Sequence, residues 1–231
     1  MQDKQSPQEK VQQKQKKLLL LMSDADVAYK MVEMSFSIDT LQNLLNSLNG
    51  VLPADMGPLF VATRQHKLEA GEMYIREGDT AKKLAYLMQG IMRAYMVKES
   101  GEEATMFLRW EGQFIASHDT IIRQQPARFN YRALEETTLL EIDYDRLEEV
   151  LKVHPEFEPL RIYFLKRMLA EALDSIEAFV LLSPEERYLQ LVKSRADIVN
   201  RVPDKYLASI MGITPVSLSR IRKRLQERGK K

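Results

Sequence analysis

The apolar rhythm of this chain changes twice, and that change limits its fold more than any single motif does. Between residues 62 and 144, apolar residues fall in short runs at 63–68, 73–76, 84–89, 91–98, 103–110, 130–133 and 138–143, punctuated by Gly71, Gly78, Gly90, Gly101 and Gly112. Short runs broken by residues that tolerate positive backbone angles mark strands and tight turns, so this stretch predicts a compact β-roll or barrel. On either side the spacing is helical. Val27, Met31, Met34, Ile38, Leu41, Leu44, Leu45 and Leu48 recur at three- and four-residue steps until Asn49 and Gly50 stop them, which predicts an amphipathic helix. Residues 1–17, rich in Gln and Lys and without apolar periodicity, read as disordered or loosely helical.

After the β region the spacing predicts a short helix over 145–153, closed by His154 and Pro155, and a long one over 156–182. The long helix carries two apolar stripes, Leu160, Phe164, Met168, Ala172, Ile176 and Phe179 on one, and Leu165, Leu169, Leu173, Ile176 and Val180 on its neighbour. One β-roll cannot cover so wide a face, so the second stripe predicts a partner helix and a homodimer. Ser183, Pro184 and Glu186 then form a helix start, with a hydroxyl cap, Pro at the first helical position and Glu three residues after the cap. The charge balance turns at the same point. From residue 183 onward there are 12 Lys and Arg against 5 Asp and Glu, whereas the rest of the chain has 22 against 28. A basic end on a chain of net charge +1 suggests a polyanionic partner.

Within that basic end, Ala208, Gly212 and Leu218 stand at the spacing of a helix-turn-helix, with Leu207, Ile210, Ile213, Ile221 and Leu225 as apolar partners. The small residue lets two helices approach, the Gly permits the turn and the later aliphatics pin the second helix across the first. Thr214 is placed to cap the second helix and Pro215 to occupy its first turn. Arg220, Arg222, Lys223, Arg224 and Arg228 interleave with its apolar residues and are expected to point outward. In a recognition helix the first exposed side chains enter the major groove, so Pro215, Val216, Ser219 and Arg220 are candidate base readers, Arg220 through a bidentate contact to guanine. Ser217, Lys223 and Arg224 are expected to hold phosphates. A helical hairpin with a solvated basic face is the alternative reading of the same residues.

Three further segments carry a resemblance: LEAGEMYIREGD at 68–79, LAYLMQGIMRAY at 84–95 and FLRWEGQFI at 107–115. With the basic end they resemble the Crp/Fnr superfamily of transcription regulators, particularly its Bacteroidetes-type branch, over residues 38–228. The resemblance implies an α+β chain with an N-terminal helix, a cyclic-nucleotide-binding-like jelly roll, a long dimerisation helix and a C-terminal helix-turn-helix domain. It implies double-stranded DNA and a second copy of the chain as partners, with RNA polymerase as a further candidate. The corresponding division is an extension at 1–37, partly disordered, a sensor at 38–153, the dimerisation helix at 154–182 and the DNA-binding domain at 183–231. The alternative is a ligand sensor that acts through protein contacts without DNA binding.

The effector is where the resemblance weakens. Cyclic AMP-binding members open their phosphate-binding segment with Gly-Glu and close it with Arg-Ser or Arg-Thr. Here Gly112 is followed by Gln113, and the closing stretch is Pro126, Ala127, Arg128, Phe129, Asn130, with the Arg in a shifted register and no hydroxyl. Ala172 and Leu173 stand where the partner helix of cyclic AMP responders has Thr or Ser. Cyclic AMP is therefore not the expected effector, and Arg128 is expected at the surface of an altered loop. The weak ligand-site candidates are Gly112, Gln113, Phe114, Ile115, Ala116, Ser117, Arg128 and Asn130. Complete absence of cysteine excludes a cysteine-ligated iron-sulfur cluster, a thiolate zinc site and a catalytic thiol. His66, His118 and His154 are too scattered to suggest a metal triad. No Gly-rich phosphate loop, HExxH or GxSxG motif is present, so no enzyme is expected. The longest purely apolar run, at 18–22, is far shorter than the roughly 20 residues of a membrane span, and a cytoplasmic chain is expected.

Overall fold

The structure, a computed structural model, describes residues 57–228. The helix expected near 25–48 and the expected extension lie outside the described residues. A short helix α1 (Gly57–Ala62) leads into eight strands: β1 (Arg64–Leu68), β2 (Met73–Ile75), β3 (Lys83–Gln89), β4 (Ile91–Val97), β5 (Glu103–Trp110), β6 (Phe114–Ala116), β7 (Asn130–Ala133) and β8 (Thr137–Asp143). They form two antiparallel four-stranded sheets, in the orders β1-β8-β3-β6 and β2-β7-β4-β5. Two sheets closed face to face make the jelly roll that the strand rhythm predicts.

The period of two decides what each face covers. Along β3, Ala85 and Leu87 point between the sheets, where they meet Tyr74, Met92, Ile115, Tyr131 and Leu139. Tyr86, between them in sequence, points the other way and packs with Phe60, Leu140, Val150, Phe157 and Leu160. At the turn between β3 and β4, Gly90 is fixed by proximity, because a Cβ there would lie 2.7 Å from the Glu136 carbonyl.

The sequence pattern did not separate β6 or the five-residue helix α2 (His118–Ile122) from their surroundings. Neither is long enough to display a period. Helix α3 (Tyr144–Val153) is capped by the Asp143 carboxylate, which accepts from the Asp145 amide at 3.0 Å. The long helix starts later than its spacing predicts. Pro155–Phe157 forms a 3-10 turn, and α4 runs from Glu158 to Leu181. Its first stripe divides. Leu160 and Phe164 pack on the roll, the Phe164 ring 4.2 Å from that of Phe114, whereas Phe179 is 55% exposed. The second stripe is open along its length, with Leu165, Leu169, Leu173 and Ile176 between 50% and 61% exposed.

The basic end folds as four helices, α5 (Pro184–Ser194), α6 (Ala196–Arg201), α7 (Asp204–Ile210) and α8 (Pro215–Arg228). Ser183 and Glu186 form the reciprocal capping box that the sequence predicts for α5.

Candidate nucleic-acid interface and sensor site

Helices α7 and α8 are joined by a tight turn. Ala208 and Leu218 are fully buried against each other's helices, with Leu207 and Ile221 beside them. Gly212 holds φ of +69°, a region that an L side chain seldom occupies, and the Ile213 amide returns to the Ala208 carbonyl at 3.0 Å. Thr214 Oγ1 accepts from the Ser217 amide at 3.2 Å, which caps α8 with Pro215 as its first residue.

On α8 the structure sorts the basic residues into two sets. Thr214, Pro215, Val216, Ser219, Arg220 and Lys223 are exposed, Val216 to 61%. Ser217 is half-buried and shares a 3.0 Å hydrogen bond with Thr214. Arg220 and Lys223 form no ion pair with any described residue, so both charges are available. Arg224 and Arg228 are exposed as well, as the sequence predicts, and Arg222 is half-buried, but all three are paired within the domain. Arg222 donates to the Tyr188 hydroxyl at 3.0 Å and to Asp204 at 2.8 Å. Arg224 and Arg228 both pair with Glu185 of α5, at 2.8 and 2.6 Å. The partner decides the split, since Arg220 and Arg224 are themselves four residues apart and share one side of the helix. Arg224 and Arg228 reach Glu185 of α5, whereas Arg220 and Lys223 meet no carboxylate among the described residues.

Sequence reasoning missed how this domain sits on the roll. Ile91 and Leu108, on the outer face of the second sheet, join one buried cluster with Tyr188, Ile198, Val202, Leu207, Met211 and Leu218. Arg201 donates to Glu111 at 3.2 Å and to Glu135 at 3.3 Å. The Ser209 hydroxyl accepts from the Thr105 amide at 2.9 Å, and the Arg93 guanidinium lies 3.9 Å from the centre of the Tyr206 ring. At the hinge, Arg187 ties the Leu182 carbonyl, at the end of α4, to the Met211 carbonyl, in the helix-turn-helix turn, at 2.6 and 2.8 Å. The hydrogen bonds made by Arg201 and Ser209 to the roll join residues 66 to 104 positions apart, and no local spacing in the sequence announces them.

The ligand-site candidates fall into two places. Gly112 and Gln113 form the turn between β5 and β6, where the Gln113 side chain accepts from the Trp110 amide at 3.1 Å and its carbonyl accepts from the Leu87 amide at 2.9 Å. Ser117 sits at the other end of β6, donating its amide to the Lys83 carbonyl. Four residues along β3 separate the two anchors, about 13 Å at strand rise. The start of α2, rather than Gly112, therefore faces the closing loop. Phe114, Ile115 and Ala116 are β6 itself, and Ile115 is a core residue. Asn130 uses its side-chain oxygen to accept from the Glu77 amide at 3.1 Å.

Beside α2 the space is occupied by the chain's own groups. Tyr131, 3% exposed, donates its hydroxyl to the Ala116 carbonyl at 3.1 Å. Burial pushes its phenol well above the ordinary range. Phe107 packs edge-on against Tyr131 and His118. Burial, reinforced by the Arg109 charge, lowers the His118 imidazole and keeps it neutral. Arg109 reaches across to Glu171 of α4 at 3.3 Å. The Ser117 hydroxyl is buried and makes no hydrogen bond.

Arg128 is at the surface as the sequence predicts, but it is not idle. Its amide donates to Asp119 Oδ2 at 3.1 Å, and its guanidinium meets Asp119 Oδ1 at 3.0 Å from Nε and 2.9 Å from Nη2. Burial alone would raise the Asp119 carboxyl. The Arg128 hydrogen bonds and the nearby Arg123 charge outweigh it and hold the group below the usual carboxylate range. These residues do not fit a cyclic nucleotide's phosphate, because the donors that would meet it are already spent on a buried carboxylate. Among the described residues no cluster of His, Asp or Glu could hold a metal ion.

A jelly-roll sensor joined through a long helix to a helix-turn-helix is the architecture of a one-chain transcription regulator. The cyclic nucleotide-binding domain family matches residues 65–154. The electron transport regulator A of Shewanella oneidensis is 24% identical over 183 residues, covering 73% of this chain and 71% of its own length. Among solved structures, a CooA variant from Carboxydothermus hydrogenoformans has a TM-score of 0.60 at 18% identity, covering 81% of this chain and 85% of that one. FixK2 from Bradyrhizobium japonicum has a TM-score of 0.61 at 14% identity, with coverages of 72% and 86%. The chain is a Crp/Fnr-type DNA-binding transcription regulator with a cyclic nucleotide-binding domain, and its relatives are regulators rather than enzymes.

Proposed function

We propose that this regulator works as a cytoplasmic homodimer, joined along α4, that reads a specific operator with α8 and senses an effector other than cyclic AMP. The observation that carries the DNA-reading part is the pair Arg220 and Lys223, exposed on the outward face of α8 while the neighbouring arginines are held by Glu185, Asp204 and Tyr188. Pro215, Val216, Ser219 and Arg220 occupy the first turns and act as base readers. Lys223, with Thr214 and Ser217 at the helix start, meets the phosphate backbone. Arg224 contributes to that backbone contact only by exchanging Glu185 for a phosphate. The open stripe Leu165, Leu169, Leu173 and Ile176 supports a two-fold seam that would set two recognition helices on half-sites about 34 Å apart. Division into an extension at 1–37, a sensor at 38–153, a dimerisation helix at 154–182 and a DNA-binding domain at 183–231 belongs to the same reading. So does RNA polymerase as a further partner. The sequence motifs support assignment to the Bacteroidetes-type branch. Among the described residues no helix is long and apolar enough to cross a membrane, which agrees with a cytoplasmic address.

A genome-wide map of bound DNA, followed by gel shifts of the recovered sites over a salt series, tests this reading. Specific binding that weakens steeply with salt is the expected result, because phosphate contacts release counterions. Retention of a defined oligomer with no DNA binding at low salt would instead favour a sensor that acts through protein contacts.

A further inference from the structure

We propose that the loop between α2 and β7 is an oxyanion receptor filled by the chain's own carboxylate, Asp119, and that the sensor therefore takes no phosphate-bearing effector. The inference deepens the reading of the effector given above and rests on it.

Three N–H groups of one residue converge on this carboxylate: the Arg128 amide on one oxygen, and Nε and Nη2 of its guanidinium on the other. Amide and guanidinium pointing at one place make the two-pronged arrangement that also binds phosphate and sulfate. The distribution of burial shows which partner belongs inside. Asp119 is 4% exposed, whereas the Arg128 side chain is 51% exposed. A surface ion pair would leave both groups wet; here the anion is the enclosed member and the cation closes over it from solvent.

The loop is built around that anion. Backbone carbonyl Asp119 O accepts from the Arg123 and Gln125 amides, each at 3.1 Å, and the next residues are fixed by the Ala127 amide on the Asp79 carbonyl at 2.8 Å. Between them Gln124 holds φ of +53°, an unfavourable conformation for a side-chain-bearing residue, and the surrounding hydrogen bonds enforce it. Arg128 thus closes the loop on the Asp119 carboxylate, and Arg123 stands farther off, its Nε 3.8 Å from Oδ1. A ligand phosphate brought to Arg128 would stand beside a buried like charge and would have to displace it.

Thermal unfolding of the full chain tests this with inorganic phosphate as probe, against chloride at matched ionic strength. Asp119→Ala is expected to melt about 5 °C below the wild type in chloride and to recover at least half of that loss in phosphate. The wild type and the double variant Asp119→Ala, Arg128→Ala should show only the smaller general rise that phosphate gives a folded chain, and the recovery of Asp119→Ala is counted beyond it. If Asp119→Ala does not fold, the same phosphate-against-chloride comparison is made on Asp119→Asn, which keeps the side-chain shape and removes the charge. An unshifted melting temperature, or a loss equally deep in both salts, would overturn the receptor. Saturable binding of cyclic AMP to the wild type by calorimetry, abolished by Arg128→Ala, would overturn the exclusion. Neither readout depends on DNA, so failure of operator binding would remove the proposed function while leaving this result intact.

Discussion

Replacing Leu169 and Leu173 with Glu should separate the proposed dimer without unfolding the protomer. Full burial of a Leu or Ile side chain is worth about 1.5–3 kcal/mol. The four seam residues are already partly covered, and with 50–61% of each exposed the remaining gain is about 1 kcal/mol per side chain. A two-fold seam uses every position twice, so Leu165, Leu169, Leu173 and Ile176 together supply roughly 8 kcal/mol, enough to offset an association cost at the lower end of about 4–15 kcal/mol. The double substitution removes half of that supply, about 4 kcal/mol, or roughly a thousandfold in the dimer dissociation constant. It also sets carboxylates of both protomers at the seam, where desolvation and mutual repulsion add to the loss. Because both positions face solvent in the isolated protomer, the sensor core at Tyr86, Phe157 and Leu160 is untouched. Sedimentation velocity at micromolar concentration, with circular dichroism as the control for folding, reads the outcome. A folded variant that still sediments as a dimer would show that the apolar stripe is not the seam.

The two cations of α8 that make no ion pair among the described residues should fail differently: Arg220→Ala should cost about 1–3 kcal/mol per half-site on the operator and much less on random DNA. Lys223→Ala should weaken both kinds of duplex alike and lower the salt slope by about one unit per half-site, and titrations on cognate and scrambled duplexes at several salt concentrations separate the two effects. Arg201, with its charge sandwiched between Glu111 and Glu135, should couple the domains by about 1 kcal/mol in a double-mutant cycle with Glu111→Gln, a modest figure because these side chains are about a third exposed. In the same variants, faster proteolytic cleavage near 182–184 is the expected sign of looser docking. Asp119 should also mark the acid limb of stability. Its folded carboxyl lies below the unfolded value of about 3.9, so its contribution is complete above that pH and disappears as the pH falls toward the folded value. Melting temperatures taken from pH 6 down to pH 3 should therefore fall less steeply for Asp119→Asn than for the wild type, and parallel curves would contradict the assignment.

What could be read from the sequence was whatever repeats locally. The alternation along β3, the capping pair Ser183 and Glu186 and the Ala208, Gly212, Leu218 spacing each depend on neighbours within a few residues, so composition and period were sufficient to place them. The same holds for the open stripe on α4, which is a property of helical geometry. Tertiary structure alone decided which charges were free. Arg220 and Arg224 are indistinguishable in sequence, four residues apart on one basic helix, yet only Arg224 meets Glu185 from another helix. Likewise Asp119 carried no sequence signal, and Gly112 drew attention by motif although the structure places it at the far end of β6 from the loop that matters. A carboxylate's role depends on what its burial forces it to pair with. That pairing is set by which segments the two sheets bring together, over separations no local pattern encodes.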